Sequence, residues 1–236
     1  MDQMTIDTNF DFYSDSKGGD PDRTSPTLRK YHKILWSKSL PNGTILNLFD
    51  DRSDAYLYHE SQLGEFSFGS DAISHSYKNQ NRKHWLTTQI PNEVDELFRT
   101  GSTIGAYIIF PNNKIDGKHT INQARGVNIF IDDRFDLTLE CIRLYYLGEE
   151  SPLYDTLLRY RSFFNLFDNF IGYTRFFLLD DLMCDNNEID FYLPFDNFIT
   201  RPTFSSVNDY LVYKDKVMEF IKARNRRIEA YNMRLK

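Results

Sequence analysis

Cysteine is nearly missing from this chain, with 2 in 236 residues, so a disulfide-stapled secreted scaffold is excluded. Glycine (11) and proline (8) are too sparse for a collagen-like or linker-like polymer. No apolar run, including residues 104–110 and 176–179, approaches the roughly 20 residues that span a bilayer. The first twelve residues carry neither a basic leader nor an apolar core, so no secretory signal is expected and the chain reads as cytoplasmic, without a membrane partner. Several chemical signatures are missing as well: no Gly-rich phosphate loop with a following lysine, no G-x-G-x-x-G, no nucleophile elbow, no Cys-x-x-Cys pair and no H-E-x-x-H. P-loop NTPases, ordinary dinucleotide enzymes, α/β-hydrolases and zinc fingers drop out accordingly.

What is present is a globular composition. Hydrophobic residues make up 41% of the chain, enough for a core, and the length fits one large domain or two small ones. The net charge of −6 is mild, but it hides a pattern. Residues 132–196 hold fourteen acidic side chains against five arginines, a net of −9, whereas residues 214–236 carry a net of +5. Between Lys118 and Lys214 there is no lysine at all. An acidic middle and a basic tail are the clearest signal in the composition.

Local patterns predict sheet first and helix afterwards. Ser25-Pro26 is a helix start, and Leu28, Tyr31, Leu35 and Trp36 form its apolar face. Residues 44–49, 55–58, 65–68, 103–110 and 127–131 are predicted strands, and 92–99 a short helix closed by Gly101. Asn42-Gly43 is turn material rather than a glycan acceptor. Asp133 is expected to cap a helix ending at Gly148. Further helices are expected over 151–167, over 170–183, and from about Ser206 to the terminus along a stripe from Val207 to Leu235, with a short strand at 189–193. Cys141 and Cys184 sit in apolar helical contexts as small hydrophobes. The expected fold is α+β: a β-rich N-terminal half packed against a helical C-terminal half, as a single compact domain over 1–236. A subdivision into 1–132 and 133–236 is the alternative.

The richest chemistry lies in the segment 114–126, which joins two predicted strands. Lys118, Asn122 and Arg125 sit there with Gly117 and Gly126, a set suited to holding an anion, and His119 is a general acid or base candidate. Asp116-Gly117 equally marks a plain hairpin turn. Asp136 and Glu140 lie four apart on one predicted helical face, where paired carboxylates can hold Mg²⁺, although Glu140 and Arg143 also suit an ion pair. Lys222, Arg224, Arg226 and Arg227 crowd two turns of the last helix, as a nucleic-acid contact or as an internal answer to the acidic middle. The loop at 14–22 lacks calcium-loop spacing, and His32, His59, His75 and His84 show no ligand spacing.

Five strings carry a resemblance: residues 25–33 (SPTLRKYHK), 63–66 (LGEF), 116–126 (DGKHTINQARG), 133–143 (DRFDLTLECIR) and 220–228 (FIKARNRRI). They resemble an uncharacterised bacterial family of stand-alone chains of similar length. The resemblance implies a complete bacterial or phage-derived intracellular protein, and no activity comes with it. Two expectations follow. The first is a phosphate-handling protein that binds or processes a nucleotide or nucleic acid, in phage–host conflict. The second is a non-enzymatic interaction module: an inhibitor, an antitoxin-like partner or a sequestering protein.

Overall fold

The structure, a computed structural model, describes residues 5–74, 84–202 and 204–234. The expectations that touch His75 and Leu235 lie outside those residues. Among the described residues the order is α1 (Phe12–Asp15), α2 (Pro21–Thr24), α3 (Pro26–Trp36), β1 (Leu57–Ser61), β2 (Gly64–Ala72), α4 (His84–Thr87), α5 (Pro91–Thr100) and β3 (Tyr107–Pro111). There follow α6 (Ile121–Val127), α7 (Phe135–Leu147), α8 (Tyr154–Arg159), α9 (Arg161–Phe164), α10 (Phe170–Phe176) and α11 (Val207–Arg234). The class is α+β, as expected, with helices before, between and after the strands.

The sheet is a three-stranded antiparallel meander, β1-β2-β3. Leu57 pairs with Phe68 and Ser61 with Gly64 across the first turn, where Gly64 takes a φ of +127°. On the other side, Phe68 pairs with Pro111 and Ala72 with Tyr107. The central strand alternates: Phe66, Phe68 and Ser70 are buried, whereas Asp71 turns to the other face. Strand β3 is buried at every position.

Helix ends follow their caps. The Ser25 hydroxyl accepts from the Leu28 amide at 3.0 Å, Pro26 occupies the first turn, and Leu28, Tyr31, Leu35 and Trp36 are buried as their spacing requires. Helix α7 stops at Gly148, whose φ of +74° suits a left-handed cap. In the long α11, Arg224 is wholly buried and donates to the carbonyls of Gly105 (2.9 Å), Tyr107 (2.8 Å) and Phe177 (3.0 Å), which ties the terminal helix to the entry of β3. A Cβ on Gly105 would come within 2.5 Å of the Ile221 carbonyl, so only glycine permits this approach. A buried hydrophobic cluster joins Trp36 and Phe68 to Phe163, Tyr173, Phe177 and Ile221.

Several expected elements are corrected. Residues 127–131 are not a strand: Thr120 and Gln123 form a reciprocal capping box, which starts α6 and carries it through Val127. Asn128 then turns the chain by accepting the Phe130 amide at 2.9 Å. Segment 114–126 is therefore a turn leading into a helix, not a hairpin between strands. Residues 44–49 and 189–193 make only isolated bridges, Ser39–Ile45, Phe49–Tyr58 and Met183–Ile189. The helix expected over 170–183 ends at Phe176, before Leu178 adopts a φ of +55°, and the one expected over 151–167 breaks into α8, α9 and a 3₁₀ turn. The 14–22 loop holds the end of α1 and the first two residues of α2, helices capped by Asp11 and Asp20. The N-terminal half thus holds the whole named sheet but also α1 to α5. The Asn42-Gly43 turn stands, with the Thr44 amide donating to Asn42 Oδ1 at 2.9 Å.

Candidate functional site: two hollows that meet at a carboxyl pair

A hollow of about 890 Å³ opens between α2, the start of α3, loop 50–56, the middle of β2 and the first residues of α6. A second, about 470 Å³, lies between the 13–22 loop, the end of β2 and the C-terminal end of α5. The two share Asp20, Asp22 and Asp71 and meet along them.

The shared carboxyls differ in their surroundings. The Ser70 hydroxyl, the one polar group on the buried face of β2 outside its ends, donates to Asp22 Oδ1. Burial, with the like charge of Asp71 second, pushes the Asp22 carboxyl up to about 8. Asp71 accepts from Arg125 Nη1 at 2.6 Å and from the Ala72 amide at 3.0 Å, and its side chain keeps 20% of its surface exposed. Burial lifts it to about 6, against the pull of Arg125 and with a further push from Asp133. Both carboxyls are thus raised, and Asp22 further than Asp71, so of the two Asp22 holds its proton more tightly. Tyr56 reaches toward Ser70 from one side and meets His32 Nδ1 at 3.2 Å on the other. Complete burial, seconded by the charge of Arg224, drops His32 to about 3, so it stays neutral.

The first hollow is lined by charges of both signs. Asp50 is held by Lys33 at 2.6 Å, Asp54 by Arg52 at 2.8 Å, and Asp71 by Arg125. Arg29 spends its guanidinium on the carbonyls of Asp50 (2.7 Å) and Ala55 (3.2 Å). Lys30 and Lys114, both exposed, line this hollow without a salt bridge among the described residues, and exposed Arg23 makes only a 3.8 Å contact with Asp20. The second hollow is aromatic. Tyr13 and Phe98 meet edge to face at 4.7 Å, with Leu97 and Tyr107 beside them and Gly18 and Gly19 in the loop above.

The residues singled out from the sequence are scattered. Arg125 is buried, with Nη1 on Asp71 and on Asp133 (3.2 Å), Nε on Thr138 (3.0 Å) and Nη2 on the Asp133 carbonyl (2.9 Å). Its charge is already answered inside the fold, so it holds the hollow's wall rather than an incoming anion. Asn122 donates to the Ser70 carbonyl at 3.0 Å and does line the large hollow. Lys118 and His119 lie exposed on a different, shallower groove beside Arg159, away from the carboxyl pair. Asp136 is fully buried against Arg134, accepting from its Nε at 3.1 Å and from the Tyr192 amide at 3.0 Å. Glu140 receives both arms of Arg143, at 2.7 and 2.8 Å. Each is taken by an arginine, and together they present no open metal site. Among the described residues, no group of three or more acidic, histidine or cysteine side chains has metal-holding geometry. On α11, Lys222 and Arg226 are exposed, Arg224 is buried, and Arg227 is paired with Asp181 at 2.8 Å. The basic tail therefore answers the acidic middle through Arg227 and Lys216, and of the four cations singled out only Lys222 and Arg226 face outward. His59 is buried between the Asn47 carbonyl and Ser61 Oγ, both at 2.7 Å.

Asp22, Asp71 and Tyr56 were not found from the sequence. The available signal was Ser70, a polar residue on the otherwise apolar inner face of β2, with an aspartate next to it.

A family model described as a family of unknown function (DUF6994) matches residues 6–228. The chain belongs to this family. Two of the strings that carried the resemblance, 25–33 and 116–126, both contribute to the large hollow, through Lys30 and through Asn122. No match was found among curated proteins or among solved structures. No helix among the described residues is long and apolar enough to cross a membrane.

Proposed function

We propose that the chain is a phosphate-handling protein that binds a nucleotide, free or at the end of a nucleic acid, across the two hollows. One observation carries the reading: a hollow with two exposed lysines that make no salt bridge among the described residues and a hollow lined by aromatic rings meet along Asp20, Asp22 and Asp71. A nucleotide has the same order of parts. Its phosphate suits Lys30 and Lys114, its base suits the faces of Tyr13 and Phe98, and its sugar hydroxyls suit the carboxyls between them. The volumes lie in the range of small-molecule sites, about 300–1,000 Å³. The reading treats 1–236 as one domain, supported by a core cluster that runs from Ile6 to Ile228. The five strings support a bacterial or phage-derived chain working in the cytoplasm; phage–host conflict is the setting we propose for it.

Calorimetry with nucleoside 5′-monophosphates tests this. A double variant, Lys30→Ala with Lys114→Ala, is expected to bind at least about tenfold more weakly, as loss of roughly 1.4 kcal/mol of phosphate contact requires. Its melting temperature should stay within a degree or two, because both side chains are exposed. Undiminished binding in that variant, or a wild-type protein that binds neither nucleotides nor inorganic phosphate, refutes the proposal.

A further inference from the structure

Resting on the nucleotide reading, we infer that the meeting line of the two hollows hydrolyses the bond between sugar and base of a nucleoside 5′-phosphate, with Asp22 as proton donor and Asp71 as proton acceptor. Position supports this first. Lys30 and Lys114 line only the large hollow, and Tyr13 and Phe98 only the small one, whereas Asp22 and Asp71 belong to both. A ligand anchored by its phosphate at one end and its ring at the other lays its glycosidic carbon along the carboxyls.

Chemistry supports it second. Cleavage at a glycosidic carbon passes through an electron-poor, oxocarbenium-like state, and paired carboxyl groups in opposite protonation states are the usual answer to it. In the step proposed, the C1′–N bond breaks with its electron pair going to nitrogen, which takes the proton of Asp22. Water oxygen bonds to C1′, and its proton passes to Asp71. One water is consumed, free base and ribose 5-phosphate leave, and nothing is oxidised or reduced. Solvent then returns a proton to Asp22 and removes one from Asp71.

The surroundings hold the two groups in these roles. Asp22 is faced by Ser70, Tyr56 and Tyr107, by the like charges of Asp20 and Asp71, and more weakly by Arg125. Asp71 is fixed by Arg125 and the Ala72 amide, with Asp133 behind the guanidinium. Ser70 and Arg125 are thus positioning residues, each holding one carboxyl.

The test uses the full chain with the five common nucleoside 5′-monophosphates, following binding by calorimetry and free base by chromatography. At least one is expected to bind and to release its base. Asp22→Asn should lose base release at saturating nucleotide by about 100-fold or more, the usual worth of a positioned acid. With 4-nitrophenyl ribofuranoside 5-phosphate, whose leaving group needs no proton, the same variant should lose less than about tenfold. Equal losses on both substrates overturn the role of Asp22. Binding without base release by the wild type overturns the inference but leaves the binding site standing, as in a sequestering protein. Absence of all binding overturns the nucleotide reading itself. Should Asp22→Asn fail to fold, the wild-type rate serves: it should fall about tenfold per pH unit once pH passes about 8, and a flat profile from pH 6 to 10 overturns the assignment.

Discussion

If Asp22 is held protonated by its surroundings, then the folded state must suffer as the pH rises, and the size of that effect follows from the site. An ordinary aspartate carboxyl titrates at 3.8, and in the fold Asp22 titrates at about 8. Between those values the native chain holds a proton that the unfolded chain has released. Stability therefore falls as pH rises through this window, by at most 1.36 kcal/mol per unit. Taken at face value the full window amounts to roughly 5–6 kcal/mol. The carboxyl lines two open hollows, where water relieves part of that cost, so this figure is the ceiling for the loss. Asp22→Asn removes the charge, keeps the shape, and still offers an acceptor to Ser70. In urea titrations at pH 5, 7 and 9, the stability of the variant relative to the wild type should rise with pH, by up to about 1.4 kcal/mol per unit between pH 5 and 8. Asp71 adds a smaller fall of the same sign between about 4 and 6 in both proteins, so it cancels in the comparison. A stability difference that does not change with pH would refute the claim that Asp22 is buried as a neutral acid.

Two further substitutions test the internal arginines. Arg125→Met should destabilise by about 3 kcal/mol at pH 7 by urea titration, the low end for breaking a buried pair because Asp71 and Asp133 retain 20% and 24% exposure, and a cost below 1 kcal/mol would show that the guanidinium is dispensable. Arg224→Met should cost about 3–5 kcal/mol by leaving three buried carbonyls unanswered, whereas Lys222→Glu with Arg226→Glu should stay within about 0.5 kcal/mol, and similar costs for the two would contradict the placement of this helix.

The readable parts of the fold were those whose signal is local. Ser25-Pro26 starts α3 and Gly148 ends α7 because a cap needs only one turn of chain to act. The α+β class followed from the change of period, and the last helix from an apolar stripe that α11 buries at Val217, Ile221 and Ile228 and half-buries at Val207, Leu211 and Tyr231. Errors arose where a local signal was ambiguous. Val127, Ile129 and Ile131 alternate like a strand, yet the capping box at Thr120 and Gln123 had already committed the chain to helix, and Val127 and Ile129 end exposed. The aromatic run from Phe163 to Phe177 has helical spacing throughout. Packing of Phe163, Phe167, Tyr173, Phe176 and Phe177 into one cluster bends it into short pieces instead.

The same distinction explains why the site was legible only in part. Lys118, His119 and Arg125 look like one cluster because they are close in sequence, but α6 separates them. Lys118 and His119 precede its cap and stay in the exposed turn, whereas Asn122 and Arg125, three apart, share the face turned toward β2. Arg125 then meets Asp71, 54 positions away, and Asp22 meets Ser70 across 48. Periodicity carries no information about such pairings, since neither aspartate interrupts a pattern where it stands. The lone local trace is Ser70, which spoils the apolar face of β2. A hydroxyl is tolerated there because it has a partner, and its partner is the carboxyl on which the proposed chemistry turns. A polar residue at an inward strand position is therefore a better pointer to a site in this fold than a cluster of charges in a loop, because the loop's charges can be solvated and the strand's hydroxyl has to be answered from within.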